Sequence, residues 1–77
     1  ADRFDRAITE LRLALTYYSD DRDTRLLLGK ALAKSAKVSA AEEEFNSLIK
    51  QYPIDNEIIF NLHYIWEKQL EDIKYLK

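Results

Sequence analysis

Apolar residues recur along this chain at helical spacing. Phe4, Ile8, Leu11, Leu15 and Tyr18 are separated by four, three, four and three positions, which is one face of a helix expected over about residues 2–18. The polar run "SDDRD" at 19–23 interrupts it, and either Asp20 or Asp21 can cap a second helix over about 22–36. Its stripe is Leu28, Leu32 and Ala36, and it ends in "KSAKVS", a weak stop without glycine. Ser39 stands three positions before Glu42, the spacing of a capping box, in which two side chains satisfy free backbone N–H groups reciprocally. A third helix is therefore expected over about 39–52, with Ala41, Phe45, Leu48 and Tyr52 as its stripe. Glu42, Glu43 and Glu44 fall at the positive end of its dipole and Lys50 near the negative end.

Pro53 stops the third helix, and Asp55 is placed to cap a fourth over about 56–75. The fourth stripe reads Ile59, Leu62, Trp66, Leu70 and Ile73, with no Gly, Pro or Asn at 68–72 to break it. Short connections make sequential helices antiparallel neighbours. The expected architecture is all-α: four helices packed up and down in one domain, residues 1–77.

The chain's single glycine, Gly29, follows three leucines inside the second helix. A helix-interior glycine costs roughly 1 kcal/mol against alanine, so its presence calls for a reason. The reason lies in an internal repeat. Ala7 and Ala41, Leu11 and Phe45, Ala14 and Leu48, Ser19 and Pro53, and Leu28 and Leu62 are each 34 positions apart. This spacing, one helix pair long, resembles the tetratricopeptide repeat (TPR) family, whose pattern runs from a large residue and L-G through A-x3-F to Pro. Leu28, Gly29, Leu32, Ala41, Phe45 and Pro53 match it within residues 22–55, and Arg25 stands where Trp is common. The first helix then resembles the second half of an earlier repeat, and the fourth the first half of a later one. The resemblance implies an α-solenoid fragment built of antiparallel helical hairpins. It also implies that Gly29 lets the second and third helices approach closely, facing the Ala41 region. One repeat later, His63 replaces the glycine and Tyr75 the alanine. Neither is small, so the fourth helix is expected to act as a terminal cap.

Composition narrows the function. A chain of 77 residues buries only about 60 % of its unfolded surface, so the core is thin. There is no cysteine for disulfides or thiolate metal sites. The net charge of −2 disfavours nucleic acid as a partner. No apolar run approaches the ~18 residues of a membrane span, and no signal-peptide core is present. A chain that opens on Ala1 is expected to be a fragment or a processed product. The compartment is not read from the sequence, with the cytoplasm favoured.

Candidate chemistry is sparse. His63 and Glu67 form an i, i+4 pair that could be half of a metal site, but a lone His without Cys leaves the ligand set incomplete. "DDRD" at 20–23 lacks the glycine and spaced acids of a calcium loop and reads as a solvated turn. No nucleophile–base pair or phosphate-cradling loop is visible. The sequence therefore argues against an enzyme, and no cofactor is expected.

The TPR resemblance implies a different kind of site: a concave groove, lined by the first helix of each hairpin, that receives a peptide or helix of another protein. Carried over, the second helix presents Asp23, Leu26, Leu27, Lys30, Ala33 and Lys34, and the fourth presents Glu57, Phe60, Asn61, Tyr64, Glu67 and Lys68. Leu27, Lys30, Lys34, Phe60, Asn61, Tyr64 and Lys68 are the candidate partner-binding residues. Phe60 and Tyr64 are equally readable as completing the small core, while for the lysines an ordinary solvated face is the stronger reading. Only Asn61 falls at a position of the family's C-terminal carboxylate clamp, so that activity is not expected.

Two functions remain from this reading. The first is a non-catalytic protein-interaction module. The alternative is a self-assembly unit, a homodimer or part of a longer repeat array, associating through the Ala7, Leu11, Ala14 and Tyr18 stripe. No earlier helix covers that stripe in this chain, so it is expected to be exposed. Trp66, Ile73, Tyr75 and Leu76 add a second apolar surplus. A helical DNA-binding domain is disfavoured by the charge and by a helix pair that matches a repeat rather than a recognition helix.

Overall fold

The computed structural model describes residues 3–75, and among them the chain is four helices with no strand. These are α1 (Arg3–Tyr17), α2 (Arg22–Lys34), α3 (Val38–Gln51) and α4 (Asn56–Tyr75). Helix α2 is the hub. It packs on α1, on α3 and, more lightly, on α4, while α3 also packs on α4. This placement explains why α2 is buried on several sides at once, through Leu26, Leu28, Gly29, Ala31 and Leu32. Ile8 of α1, Ala41, Phe45 and Leu48 of α3, and Ile58, Leu62 and Ile65 of α4 complete the core.

The 34-residue period is visible in the backbone. The Asp21 N–H donates to the Tyr18 carbonyl at 3.1 Å, and the Asp55 N–H to the Tyr52 carbonyl at 3.2 Å. The next bonds correspond as well, Arg25 N–H to Asp21 carbonyl and Ile59 N–H to Asp55 carbonyl. The same turn thus leads into α2 and into α4.

The caps of these two helices differ. At α4 the Asp55 carboxylate accepts from the N–H groups of Glu57 at 3.0 Å and Ile58 at 3.4 Å. Asp21 occupies the N-cap of α2, but its carboxylate accepts the Thr24 hydroxyl instead of a backbone N–H. The Ser39–Glu42 capping box is absent. Helix α3 starts at Val38, with Lys37 as its N-cap and no side-chain cap. Ser39 is already inside the first turn, and the Glu42 carboxylate accepts the Trp66 indole N–H at 3.1 Å.

The start of α3 is set by the stop of α2. The Lys37 N–H donates back to the Leu32 carbonyl at 2.9 Å, and the Ala36 N–H to the Ala33 carbonyl at 3.2 Å. This pair of bonds is a Schellman motif, which needs a left-handed residue. Ala36 fills that position at φ 66°, so it leaves the α2 stripe and is exposed rather than buried.

Gly29 sits at the close α2/α3 crossing, against the Phe45 ring. A Cβ added at Gly29 would lie 2.6 Å from Phe45 Cε1 and 2.7 Å from Cζ. The ring it meets is thus one turn beyond Ala41. Arg25, in the place where Trp is common, bridges from α2 to Glu44 of α3 at 3.0 Å and to the Ser19 carbonyl at 3.0 Å.

On α4 the stripe expected from the sequence is rotated. Ile58, Leu62 and Ile65 face the core, Ile59 is half-buried, and Trp66 and Leu70 are 44 % and 62 % exposed. The two stripes share Leu62, and contact with α2 and α3 selects one of them. This outer stripe, Ile59, His63, Trp66 and Leu70, occupies the repeat positions of Arg25, Gly29 and Leu32 in α2 and of Ala36 just past its end. In α2 this side packs against α3. In α4 it meets no further helix among the described residues. The expectations for the side chains of Ile73, Tyr75 and Leu76 lie outside the described residues.

Candidate functional site

An ion-pair cluster ties the N-terminus of α2 to that of α4. Arg22 donates from Nε to Asp55 Oδ2 at 2.7 Å and from Nη2 to Asp55 Oδ1 at 3.0 Å. It also reaches Glu57 at 2.9 Å and Asp23 at 2.6 Å. Glu57 in turn holds Lys30 at 3.1 Å. The Asp55, Glu57 and Asp23 carboxylates raise the Arg22 guanidinium further above its ordinary value, in that order. The Arg22 bonds hold the Asp55 carboxyl below the usual carboxylate range, against the opposing effect of desolvation. Arg22 and then Lys30 do the same for Glu57. The physical cause is one in each case: a hydrogen-bonded opposite charge favours the ionised form. The cluster joins the start of α2 to the start of α4.

Two clefts open on either side of α2. One, about 510 Å³, lies between α1 and α2 and is lined by Phe4, Ala7, Glu10, Leu11, Leu27, Lys30, Ala31 and Lys34. The other, about 340 Å³, lies between α2 and α4 and is lined by Lys30, Ala33, Lys34, Phe45, Phe60, Asn61, Tyr64 and Ile65. Lys30 and Lys34 line both, so they form the ridge of one groove crossing α2. Past it, Tyr64, Lys68 and Lys34 border a third hollow with Val38 and Ile65. Both main clefts fall within the roughly 300–1,000 Å³ of small-ligand sites, with mostly apolar linings and few polar groups.

The structure brings Lys30, Lys34, Phe60, Asn61 and Tyr64 together at the α2/α4 cleft. Leu27 stands apart, 53 % exposed at the α1/α2 cleft. Lys68 lies 5.8 Å above the Tyr64 ring, a cation–π contact beside the second cleft. Phe60 and Tyr64 are 72 % and 47 % exposed, on the groove rather than in the core. Leu26 is a correction: it is 3 % exposed and packs inward. One residue of rotation separates it from Leu27, and the contact of α2 with its neighbours decides which of the two is covered.

The α1 stripe is covered more than expected. Ala7, Leu11 and Ala14 are half-buried and Leu11 packs on the core, because α2 lies against this side, while Tyr18 is exposed. Ala7 and Leu11 thereby become cleft lining. Phe4 and Glu10 also line this cleft, and the sequence does not show it because it does not say which side of α1 meets α2. The Arg22 cluster is not legible in the sequence either, because Asp55 and Glu57 lie 33 and 35 positions away. The one available signal was the equivalence of Asp21 and Asp55 in the repeat. His63 tilts against Trp66, with centroids 5.6 Å apart, and no group of three metal-ligating side chains forms among the described residues. No helix among the described residues is long and apolar enough to cross a membrane.

Stacked antiparallel hairpins with a repeated interhelical turn, a glycine at the crossing and a groove across the first helix of the pair define a helical repeat protein. Residues 1–61 match the tetratricopeptide repeat family, and the chain belongs to it. Repeats of this family generally mediate protein–protein interaction. No curated protein and no solved structure gives a match.

Proposed function

We propose that this domain is a non-catalytic binding module whose groove across α2 receives a peptide or helix of a partner protein. The observation that carries the reading is the pair of apolar clefts joined at Lys30 and Lys34. Aromatic anchors with polar neighbours suit protein recognition, and Phe60, Tyr64 and Asn61 provide them on one wall. Leu27 and Phe4 provide apolar surface on the other. The Arg22–Asp55–Glu57 cluster and the buried α2 hub hold the walls in place before a partner arrives, which lowers the ordering cost of binding.

The test is amide chemical-shift mapping with a pool of short peptides. Shifts at Leu27, Lys30, Phe60, Asn61 and Tyr64 are expected. Shifts confined to the outer face of α3, with those five unmoved, reject the groove.

A further inference from the structure

We infer that the groove selects an acidic side chain bracketed by two apolar ones, read by Lys34; this rests on the groove being the binding face. The two clefts are apolar on both sides of a ridge, and the ridge is cationic. An extended or helical segment lying across α2 therefore meets apolar surface, positive charge and apolar surface in that order.

The two ridge lysines are not equivalent. Lys30 is held by Glu57 at 3.1 Å, and Glu57 is itself bound to Arg22, so the charge of Lys30 is already compensated. Lys34 is exposed and forms no ion pair among the described residues. It lines both clefts and the hollow beyond them. Glu10, on the opposite wall of the α1/α2 cleft, does not pair with it. Lys34 is thus an uncompensated cation beside apolar surface, where a carboxylate would form a charge-assisted hydrogen bond. Asn61, which donates to the Glu57 carbonyl at 2.8 Å, keeps its carbonyl oxygen as a further polar group on the α4 wall.

A protein segment suits this groove better than an anionic lipid surface. Lipid recognition takes clusters of some 4–8 basic residues, and this chain has a net charge of −2 with one uncompensated lysine at the centre of the groove. A second copy is the other occupant to be tested, because the chain's own "LEDI" at 70–73 has apolar residues around two acids.

The experiment uses three capped octapeptides, acetylated and amidated so that no terminal charge remains. In each, Leu and Phe bracket a central pair: Asp-Glu, Ser-Ser or Lys-Lys. Affinities are measured by fluorescence anisotropy at low salt for the parent, Lys34→Glu, Lys34→Gln and, as a control of equal charge change, Lys50→Glu on the exposed side of α3. The parent is expected to bind the Asp-Glu peptide about two- to fivefold more tightly than the Ser-Ser peptide, the scale of one exposed ion pair. Lys34→Gln is expected to abolish that preference, Lys34→Glu to turn it toward the Lys-Lys peptide, and Lys50→Glu to leave it unchanged. Circular dichroism identifies any variant that has not folded, and Lys34→Gln then decides alone. Equal binding of the Asp-Glu and Ser-Ser peptides with shifts in the groove overturns the acid selection and leaves the groove standing. No groove shift with any peptide overturns both. A dimer that Lys34→Glu converts to a monomer assigns the groove to a second copy, and binding only to phosphatidylserine vesicles assigns it to a lipid surface. The first result overturns a partner protein as the occupant and keeps the acid selection, and the second overturns the inference.

Discussion

Arg22 and Asp55 share two hydrogen bonds, at 2.7 and 3.0 Å, across 33 residues of chain. The same Asp55 carboxylate caps α4 through the N–H groups of Glu57 and Ile58. One side chain therefore both starts α4 and ties it to the start of α2. A bidentate guanidinium–carboxylate pair fixes geometry in a way a lysine pair does not.

This arrangement makes stability depend on acid pH. Asp55 and Glu57 are both held below the usual carboxylate range in the fold. Groups shifted in that direction contribute stability above their ordinary values of about 4. The contribution is lost as pH falls through the lower folded values. The thermal midpoint of the parent is expected to fall below about pH 4 more steeply than that of Asp55→Asn/Glu57→Gln, which starts lower at neutral pH. Parallel curves for parent and variant would reject the role of the cluster.

Gly29 and Phe45 are expected to be coupled. A methyl at Gly29 overlaps the Phe45 ring, which is 1 % exposed and cannot swing freely. Overpacking of this kind costs about 1–3 kcal/mol, against a propensity gain of roughly 1 kcal/mol for alanine. Gly29→Leu is expected to destabilise the fold by at least the overpacking range, and Gly29→Ala by less. In the Phe45→Leu background the penalty for Gly29→Ala should shrink or reverse. Denaturant melts of the four-member cycle measure it, and strict additivity would contradict the contact.

Ala36→Gly is expected to stabilise the domain. Ala36 holds φ 66° within the Schellman motif, where an L-residue with a Cβ costs roughly 1–2 kcal/mol and glycine very little. Glycine's larger unfolded-state entropy offsets part of this, leaving an expected gain of about 0.5–1 kcal/mol. A midpoint equal to or below that of the parent in urea counts against the left-handed assignment.

The rotated stripe of α4 separates two truncations. Ile65 is 1 % exposed and Leu70 is 62 % exposed. Ile65→Ala is expected to cost about 2–5 kcal/mol as a cavity in the core. Leu70→Ala should stay within about 0.5 kcal/mol, as surface changes do. Reversed magnitudes would restore the stripe read from the sequence alone.

The periodicity of apolar residues determined that the chain is helical and gave the number of helices. The 34-residue pattern with Gly29, Ala41 and Phe45 determined the hairpin family. These features are local or repeat at fixed spacing, so one strand of text contains them. Tertiary packing decided the rest. Leu62 belongs equally to two stripes on α4, and only the position of α2 and α3 chose Ile58 and Ile65 over Ile59 and Trp66. Ser39 and Glu42 have the spacing of a cap, but the backbone bond from Lys37 to Leu32 starts α3 before Ser39, and Trp66 takes the Glu42 carboxylate. Leu26 and Leu27 are neighbours in sequence with opposite fates, because a rotation of about 100° on a central helix separates core from groove. Arg22 met Asp55 for the same reason: an ion pair between residues far apart in the chain exists only once the helices that hold them have packed.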